Sequence, residues 1–357
     1  MKIKSINSWR EDFGLLRPYT IAYKTTSDVS NIIVEIELEN GNKGLGASAP
    51  SEQDGGETVS KSVNVLDKNQ LEWLVGKEIE DIKEISVDLK KRLFDTPASR
   101  AAVDIALYDA LSIQKNIALV DLLGRHHKEL PTSITIGIKS IEESIAEAKE
   151  YEGRGFKILK LKTGFSAEQD IETIRKLREN ISKTTVIRVD ANQGYDRMEY
   201  EKFIEGTRRL QVEFVEQPFN KFAIEQMRNL DEKYKSLIAA DESLQNETDA
   251  ELIASLPRAC GIFNIKLMKS GGIYSAMKIA SIADKAKIDL MWGCMDESRI
   301  SIAAGLHAAF ACPNTKYIDL DGSLDLAYDL VEGGFEIKNG MMRTLNLPGL
   351  GLKKIDR

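Results

Sequence analysis

Lys160 and Lys162 stand two apart in Lys157-Ile-Leu-Lys-Leu-Lys162, a run that alternates like a β-strand and so puts both ammonium groups on one face. Side by side in a confined site, two ammoniums repel and lose hydration, and both effects favour shedding a proton. The pair predicts a base. Downstream, strand-like runs end in Val-Asp190-Ala-Asn-Gln, Val-Glu216-Gln-Pro, Ala-Asp241-Glu-Ser and Asn-Ile-Lys266-Leu, spaced 26, 25 and 25 residues apart. One interval places Asp190, Glu216, Asp241 and Lys266 at equivalent points of four successive units. Three carboxylates converging there would repel without a cation between them. Oxygen-only ligation with room for water or substrate points to Mg2+, with Mn2+ as the usual substitute. A lone lysine pair mostly faces solvent and a lone acid after a strand mostly caps a helix; the shared register sets these residues apart.

Such spacing needs a regular scaffold. From about Leu130 the chain repeats a short apolar strand followed by an amphipathic helix, with strands expected at 133–138, 157–162, 185–190, 212–216, 237–241, 261–267, 289–295 and 317–321. Eight such units predict a parallel β/α barrel, whose functional groups sit at the C-terminal strand ends, where these residues fall. The second and sixth strands of an eight-stranded barrel face each other across the mouth, so Lys162 and Lys266 would flank a substrate held by the cation. Racemisation or epimerisation needs one base on each side of a carbon. One lysine removes the proton α to a carboxylate, the metal steadies the enediolate, and the other lysine returns a proton from the opposite side. Lys160 would keep its neighbour's pKa low or bond the developing oxyanion.

Ahead of the barrel the pattern predicts an antiparallel meander of four strands, at 2–9, 19–24, 31–39 and 44–49, with a hairpin turn at Asn40-Gly41. Residues 50–56 are polar and turn-forming. Helical spacing follows over 59–66, 82–94 and 97–111, the last rich in alanine with Pro97 near its first turn. The expected layout is an α+β domain over 1–125, a β/α barrel over 126–323, and a C-terminal segment, 324–357, that returns to the first domain.

Lys160-x-Lys162, Asp190, Glu216, Asp241 and Lys266, in this order behind an α+β domain, resemble the enolase superfamily and, more narrowly, its muconate lactonizing enzyme subgroup. The resemblance spans nearly the whole chain. It implies an enolase-type β/α barrel (a modified TIM barrel) with an N-terminal capping domain completed by the C-terminal tail, a lysine base, and Mg2+ on Asp190, Glu216 and Asp241. The mandelate racemase pattern, with a His at the rim, does not fit: His126 and His127 precede the barrel, and His307 lies in a helical run, where it packs. No His is in step with Cys294 either, which argues against a cysteine nucleophile.

Asp319 and Asp321 at the end of the eighth strand are same-face carboxylates away from the metal strands, and such a pair wants a cation such as an ammonium, although a turn before Gly322 would also use them. Their Asp-x-Asp resembles that of dipeptide epimerases, L-Ala-D/L-Glu epimerase among them. The resemblance implies that Asp319 and Asp321 hold a substrate α-ammonium, that Mg2+ holds the C-terminal carboxylate, and that the second residue's α-carbon lies between the lysines. Thr135 on the first strand and Gly293-Cys-Met295-Asp296 after the seventh match positions that line the family's pocket, and segments near 19–27 and 50–57 match its closing loops. Lys24 falls where L-Ala-D/L-Glu epimerases carry an arginine for the glutamate side chain, without that residue's bidentate fork. Asp296 adds negative charge to the same mouth. The expectation is that small or hydrophobic second residues are accepted at least as well as Glu.

The same lysines and acids would serve an o-succinylbenzoate synthase or a cycloisomerase, so Asp319-x-Asp321 is what favours a dipeptide. A barrel kept only as a binding module would have no reason to retain such crowded charge. The 357 residues, 42% hydrophobic and 29% charged, give ample core for one large domain or two moderate ones. A formal charge of −7 gives no reason to expect nucleic acid or an anionic membrane as partner. Cys260, Cys294 and Cys312 are an odd set without metal-binding spacing, which fits a reducing compartment. No leader-like apolar segment follows Met1 and no run is long enough to span a bilayer, so the expected location is cytoplasmic. The expected partner is a small dipeptide substrate, and a homo-oligomer stays open.

Overall fold

The computed structural model describes residues 1–21 and 24–355, apart from the side chains of residues 18–21 and 24–26. The chain opens with an antiparallel sheet of β1 (Ile3–Ile21), β2 (Lys24–Leu38) and β3 (Lys43–Ser48). Where four strands were expected there are three. Residues 19–21 and 24 do not form a strand of their own but extend β1 and β2, whose pairing reaches Ile21 and Lys24; residues 22 and 23 of the expected strand lie outside the described residues. The run Gly-Leu-Leu-Arg-Pro after Phe13 reads as a break, but a register shift between Gly14 and Tyr19 absorbs it within the ladder. Asn40 and Gly41 turn the chain into β3 as expected, Gly41 at φ +88°.

Five α-helices follow, with two 3-10 turns between the second and third: α1 (Val59–Val65), α2 (Lys68–Leu71), α3 (Ile82–Arg92), α4 (Pro97–Gln114) and α5 (Leu119–Leu123). The alanine-rich α4 is buried along nearly its whole length and joins this sheet to the barrel. Pro97 costs its first turn no hydrogen bond. The amides of Ala98 and Ser99 donate to the buried Glu57 carboxylate at 2.8 and 3.1 Å, so an acid from the loop between β3 and α1 caps the helix. Farther along, Arg100 donates to the carbonyls of Ser270 and Gly271 at 3.0 and 3.2 Å, in the segment that follows Lys266. Gly272, at φ +103°, leaves room for Asp104, which a Cβ there would strike.

After the short β4 (Leu130–Pro131), eight parallel strands lie side by side in chain order: β5 (Ile134–Ile136), β6 (Ile158–Lys162), β7 (Val186–Asp190), β8 (Val212–Glu216), β9 (Ile238–Ala240), β10 (Ile262–Ile265), β11 (Asp289–Trp292) and β12 (Thr315–Ile318). The sheet curls until its edges meet through a parallel bridge between Thr132 and Ile318, with the Ser133 amide donating to the Ile318 carbonyl at 3.2 Å. Helices α6 (Ile141–Gly153), α7 (Ala167–Asn180), α8 (Arg197–Thr207), α9 (Ile224–Arg228), α10 (Glu232–Lys235), α11 (Glu247–Ala254), α12 (Leu267–Ser270), α13 (Ile273–Ala286) and α14 (Arg299–Phe310) alternate with the strands.

Strand alternation then builds two cores. Leu159, Leu161, Ile187, Val189 and Val215 join the large core shared with the helices, while Phe214, Ala239, Ile262 and Met291 form a separate small cluster. Residues of the second parity face the barrel interior, so this cluster is its floor. Above it the Arg188 guanidinium lies over the rings of Phe214 and Tyr317, 5.2 and 5.0 Å from their centroids. Every inward position above Arg188 on β6 to β8 is charged.

The tail touches both parts. Its strands β13 (Val331–Gly333) and β16 (Leu352–Lys354) pair with each other, while β14 (Phe335–Lys338) pairs with β15 (Met341–Thr344), which pairs with β4 beside the barrel. Lys354 forms an ion pair with Glu35 of β2, and the Leu350 amide donates to Asp109 of α4 at 2.7 Å. The Leu16 amide donates to the Asp325 carbonyl at 2.7 Å, which lays the chain after β12 along the β1 hairpin. No helix among the described residues is long and apolar enough to cross a membrane.

Candidate active site

The strand ends bring the spaced residues together. Lys162 pairs in register with Asp190, and Asp190 with Glu216, so these groups share one rim. Lys162 Nζ lies 2.7 Å from Asp190 Oδ2. Lys266, four strands away from Lys162 around the barrel, lies 2.8 Å from Asp241 Oδ2. Both lysines line one cavity of about 480 Å3 that opens between the barrel and the loops of the N-terminal domain. Lys160 sits deeper, its Nζ 2.7 Å from Asp319, 2.8 Å from Glu216 and 3.3 Å from Asp190.

These contacts reverse one expectation. Burial works to depress the ammonium forms of Lys160, Lys162 and Lys266, but the carboxylates beside them outweigh it, and all three pKa values are raised. Strand spacing shows that two lysines are neighbours; it does not show that acids lie closer to each than they do to one another. The acids respond unequally. Burial would raise Asp190, yet Lys162 and Lys160 bring it down to about 2, and Lys266 with Lys269 holds Asp241 well below the usual carboxylate range. Glu216 goes the other way, up to about 8, through burial and the charges of Asp190 and Asp241.

As arranged, the oxygens of these acids face ammonium groups, and among the described residues no three acidic, His or Cys side chains stand in ligating geometry. The donor set nevertheless suits a hard divalent cation. It consists of three buried carboxylates, and Glu216 Oε2, although 2.8 Å from Lys160, accepts no hydrogen bond among the described residues. A buried carboxylate oxygen without a hydrogen bond, between two other acids, is what such a cation would satisfy.

Asp319 and Asp321, just beyond β12, line the same cavity, and each is buried. Asp319 already has a cation in Lys160 and accepts from Ser133 Oγ at 2.6 Å. Asp321 accepts from the Thr135 amide at 2.7 Å but has no cation of its own among the described residues, and burial with Asp319 and Asp325 raises it to about 7. So Asp321 is the acid of the pair that wants an ammonium. Thr135, Met295 and Asp296 line the same cavity, as expected. Lys24 opens β2, but its side chain lies outside the described residues. Cys294 donates to the Asp319 carbonyl, and burial with Asp321 pushes its thiol well up, which suits packing and not attack. The mouth carries more acid than base: Asp28, Glu52, Asp54, Glu147, Asp296 and Asp325 border it together with Arg17 and Lys139, both of which pair with Glu147.

Several participants escaped the sequence reading. Lys269, one turn beyond Lys266, is buried against Asp241 and donates to its carbonyl at 2.5 Å. Asn264 donates to Glu216 Oε1 at 2.9 Å. Gln217 accepts from the amides of Asp241 and Ser243 at 3.0 and 3.1 Å, fixing the end of β9. Asn264 shares the parity of Lys266, and a polar residue amid an apolar strand was a readable signal; Lys269 gave none beyond its type.

Residues 8–124 match the mandelate racemase/muconate lactonizing enzyme N-terminal domain, and residues 143–356 match the enolase C-terminal domain-like family. An L-Lys-D/L-Arg epimerase of Desulforapulum autotrophicum is 51% identical over 99% of this chain and 100% of its own length. The crystal structure of a dipeptide epimerase from Methylococcus capsulatus, complexed with Mg and the dipeptide L-Arg-D-Lys, superposes with a TM-score of 0.97 at 49% identity, covering 99% of each chain. A substrate-liganded L-Ala-D/L-Glu epimerase from Bacillus subtilis gives 0.94 at 30% identity, again over 99% of each.

Proposed function

This chain belongs to the enolase superfamily, in its mandelate racemase and muconate lactonizing enzyme branch, and from that premise we propose that it epimerises dipeptides with cationic side chains. One observation carries the reading: a single cavity has Lys162 and Lys266 on strands four apart, Asp319 and Asp321 at one end, and six further acids around its mouth against Arg17 and Lys139. Asp321, helped by Asp319, holds the substrate's α-ammonium. Lys162 and Lys266 then reach the α-carbon of the C-terminal residue from opposite sides, one removing its proton and the other supplying a new one. The Thr135 amide keeps Asp321 in place, and Met295 and Asp296 wall the side-chain space.

Asp190, Glu216 and Asp241 are the ligands we assign to Mg2+, with Mn2+ as a substitute. When bound, the ion supplies positive charge beside the substrate carboxylate and so acidifies the α-proton. Carboxylates committed in that way hold the lysine protons less strongly, and burial, which disfavours an ammonium, gains weight. Lys160 stays charged among Asp319, Glu216 and Asp190 and is placed to steady negative charge developing on the substrate.

The acidic mouth moves the expected preference from small or hydrophobic second residues to cationic ones. The relatives named for Lys and Arg dipeptides support the same class. A cationic dipeptide offers Lys24 no partner, so the acid-binding role expected of it is not part of this proposal. An o-succinylbenzoate synthase or cycloisomerase would set an anionic substrate against these acids and leave Asp321 without a cation. Comparing kcat/KM for L-Lys-L-Arg, L-Ala-L-Leu and L-Ala-L-Glu tests the assignment. One charge-assisted contact predicts a preference of roughly tenfold or more for L-Lys-L-Arg over L-Ala-L-Leu. A preference for L-Ala-L-Glu would overturn it.

A further inference from the structure

Glu242 follows Asp241 directly and is 4% exposed, and its two carboxylate oxygens have different surroundings. Oε1 accepts from the side-chain amides of Asn192 and Gln193, both at 3.4 Å. Oε2 is buried and, among the described residues, accepts nothing. Nor does Glu242 form an ion pair there, since the lysines nearby are committed to Asp190, Glu216, Asp241 and Asp319. A buried carboxylate oxygen without a partner is rare enough to need an explanation.

The tether to Oε1 is costly to build. Asn192 and Gln193 hold φ values of +42° and +69°, left-handed backbone at two successive residues that are not glycine. Strain of that kind persists where the surrounding structure uses it to position something. Here the loop after β7, which follows Asp190, reaches the loop after β9, which begins with Asp241, and holds one oxygen of Glu242. The other is left for a group that the polypeptide does not provide.

We propose that Glu242 is a positioning acid of the Mg2+ site. It adds negative charge behind Asp190 and Asp241 and offers Oε2 as an acceptor to water that the ion retains, without ligating the ion itself. Mg2+ sheds water reluctantly and usually keeps several molecules, and partners in that outer layer set much of the affinity. The inference rests on the reading of Asp190, Glu216 and Asp241 as the Mg2+ ligands.

Calorimetric titration of the whole protein with MgCl2, in the absence of dipeptide, tests it. Glu242→Gln keeps the size of the side chain and removes its charge; its Kd for Mg2+ should rise roughly 10- to 100-fold. Gln193→Ala, which removes one tether and no charge, should weaken binding in the same direction by less. Bound Mn2+ should give an altered electron paramagnetic resonance line shape in Glu242→Gln, because its water shell loses an acceptor. An unchanged Kd in Glu242→Gln overturns the proposal while leaving the Mg2+ site intact; should that variant not fold, an unchanged Kd in Gln193→Ala does the same. Wild-type protein that fails to bind Mg2+ overturns both this inference and the ligand assignment beneath it.

Discussion

At the scale of single residues, the site is a problem of unequal charge neighbours. Asp319 and Asp321 are two apart after one strand end, yet Asp319 has Lys160 at 2.7 Å, while among the described residues Asp321 accepts from the Thr135 amide and, at 4.0 Å, the Cys294 thiol. Asp321→Asn keeps an acceptor for the Thr135 amide and removes the charge offered to the substrate's ammonium. It should raise KM for a free dipeptide roughly 10- to 100-fold, as expected for a charge-assisted hydrogen bond, and erase any preference over the N-acetylated dipeptide. Steady-state kinetics with both substrates would show it. That Asp190, Glu216, Asp241 and Lys266 share a rim could be read from one interval in the sequence, and the place of Lys162 from its alternation with Lys160. The direction of the lysine pKa values could not, because it depends on acids arriving from other strands. Lys269 and Glu242 were hidden for the same reason: their importance is a matter of distance across the barrel.

At the scale of elements, the barrel strands were legible because each is a short apolar run, six of the eight ending at or beside a charged residue (Lys162, Asp190, Glu216, Asp241, Lys266 and Asp319), and seven helical stretches between them repeat the same alternation. The β1–β2 hairpin was less so, since Gly14 to Pro18 carries turn-forming residues and only the pairing partner keeps it in the sheet. The contact between α4 and the Lys266 segment was invisible in sequence as well, although Gly271-Gly272 marks it. A side chain at position 272 would face both left-handed backbone, at φ +103°, and collision with Asp104. Gly272→Ala should therefore cost about 2 kcal/mol or more of stability. Because α12 begins just after Lys266, the same variant should lose kcat more than it gains KM. Thermal denaturation together with steady-state kinetics checks both parts.

At the scale of the whole molecule, buried ionisable groups tie stability to pH in opposite directions. His307 on α14 is buried and uses Nδ1 to accept from the Val120 amide at 2.9 Å, and burial lowers its pKa from about 6.5 to about 3. Below pH 6.5 the unfolded chain takes up a proton that the folded one refuses, so this contribution is full above that pH and is lost towards pH 3. The slope is about 1.4 kcal/mol per pH unit. Asp109 on α4 has the opposite sign, since burial raises it to about 7 despite the amides of Leu45 and Leu350. The folded state keeps a proton there that the unfolded chain releases above about pH 3.8, so stability falls as pH rises towards 7. The two partly cancel in the intact protein. His307→Gln removes one of them, and denaturant titrations between pH 4.5 and 6.5 should show the variant losing less stability on acidification than the wild type. An equal slope in both proteins would contradict the neutral, buried His307.

The central claim is that two lysines work on one carbon from opposite sides, and proton NMR of L-Lys-L-Arg in D2O with Mg2+ tests it directly. Deuterium should enter at the α-carbon of the C-terminal residue as the L-D epimer forms. Lys162→Ala and Lys266→Ala should each slow epimerisation by roughly 10^2- to 10^4-fold, while each still exchanges the α-proton of one epimer, a different epimer in the two variants. Exchange at the N-terminal residue, or exchange of the same epimer in both variants, would contradict the account.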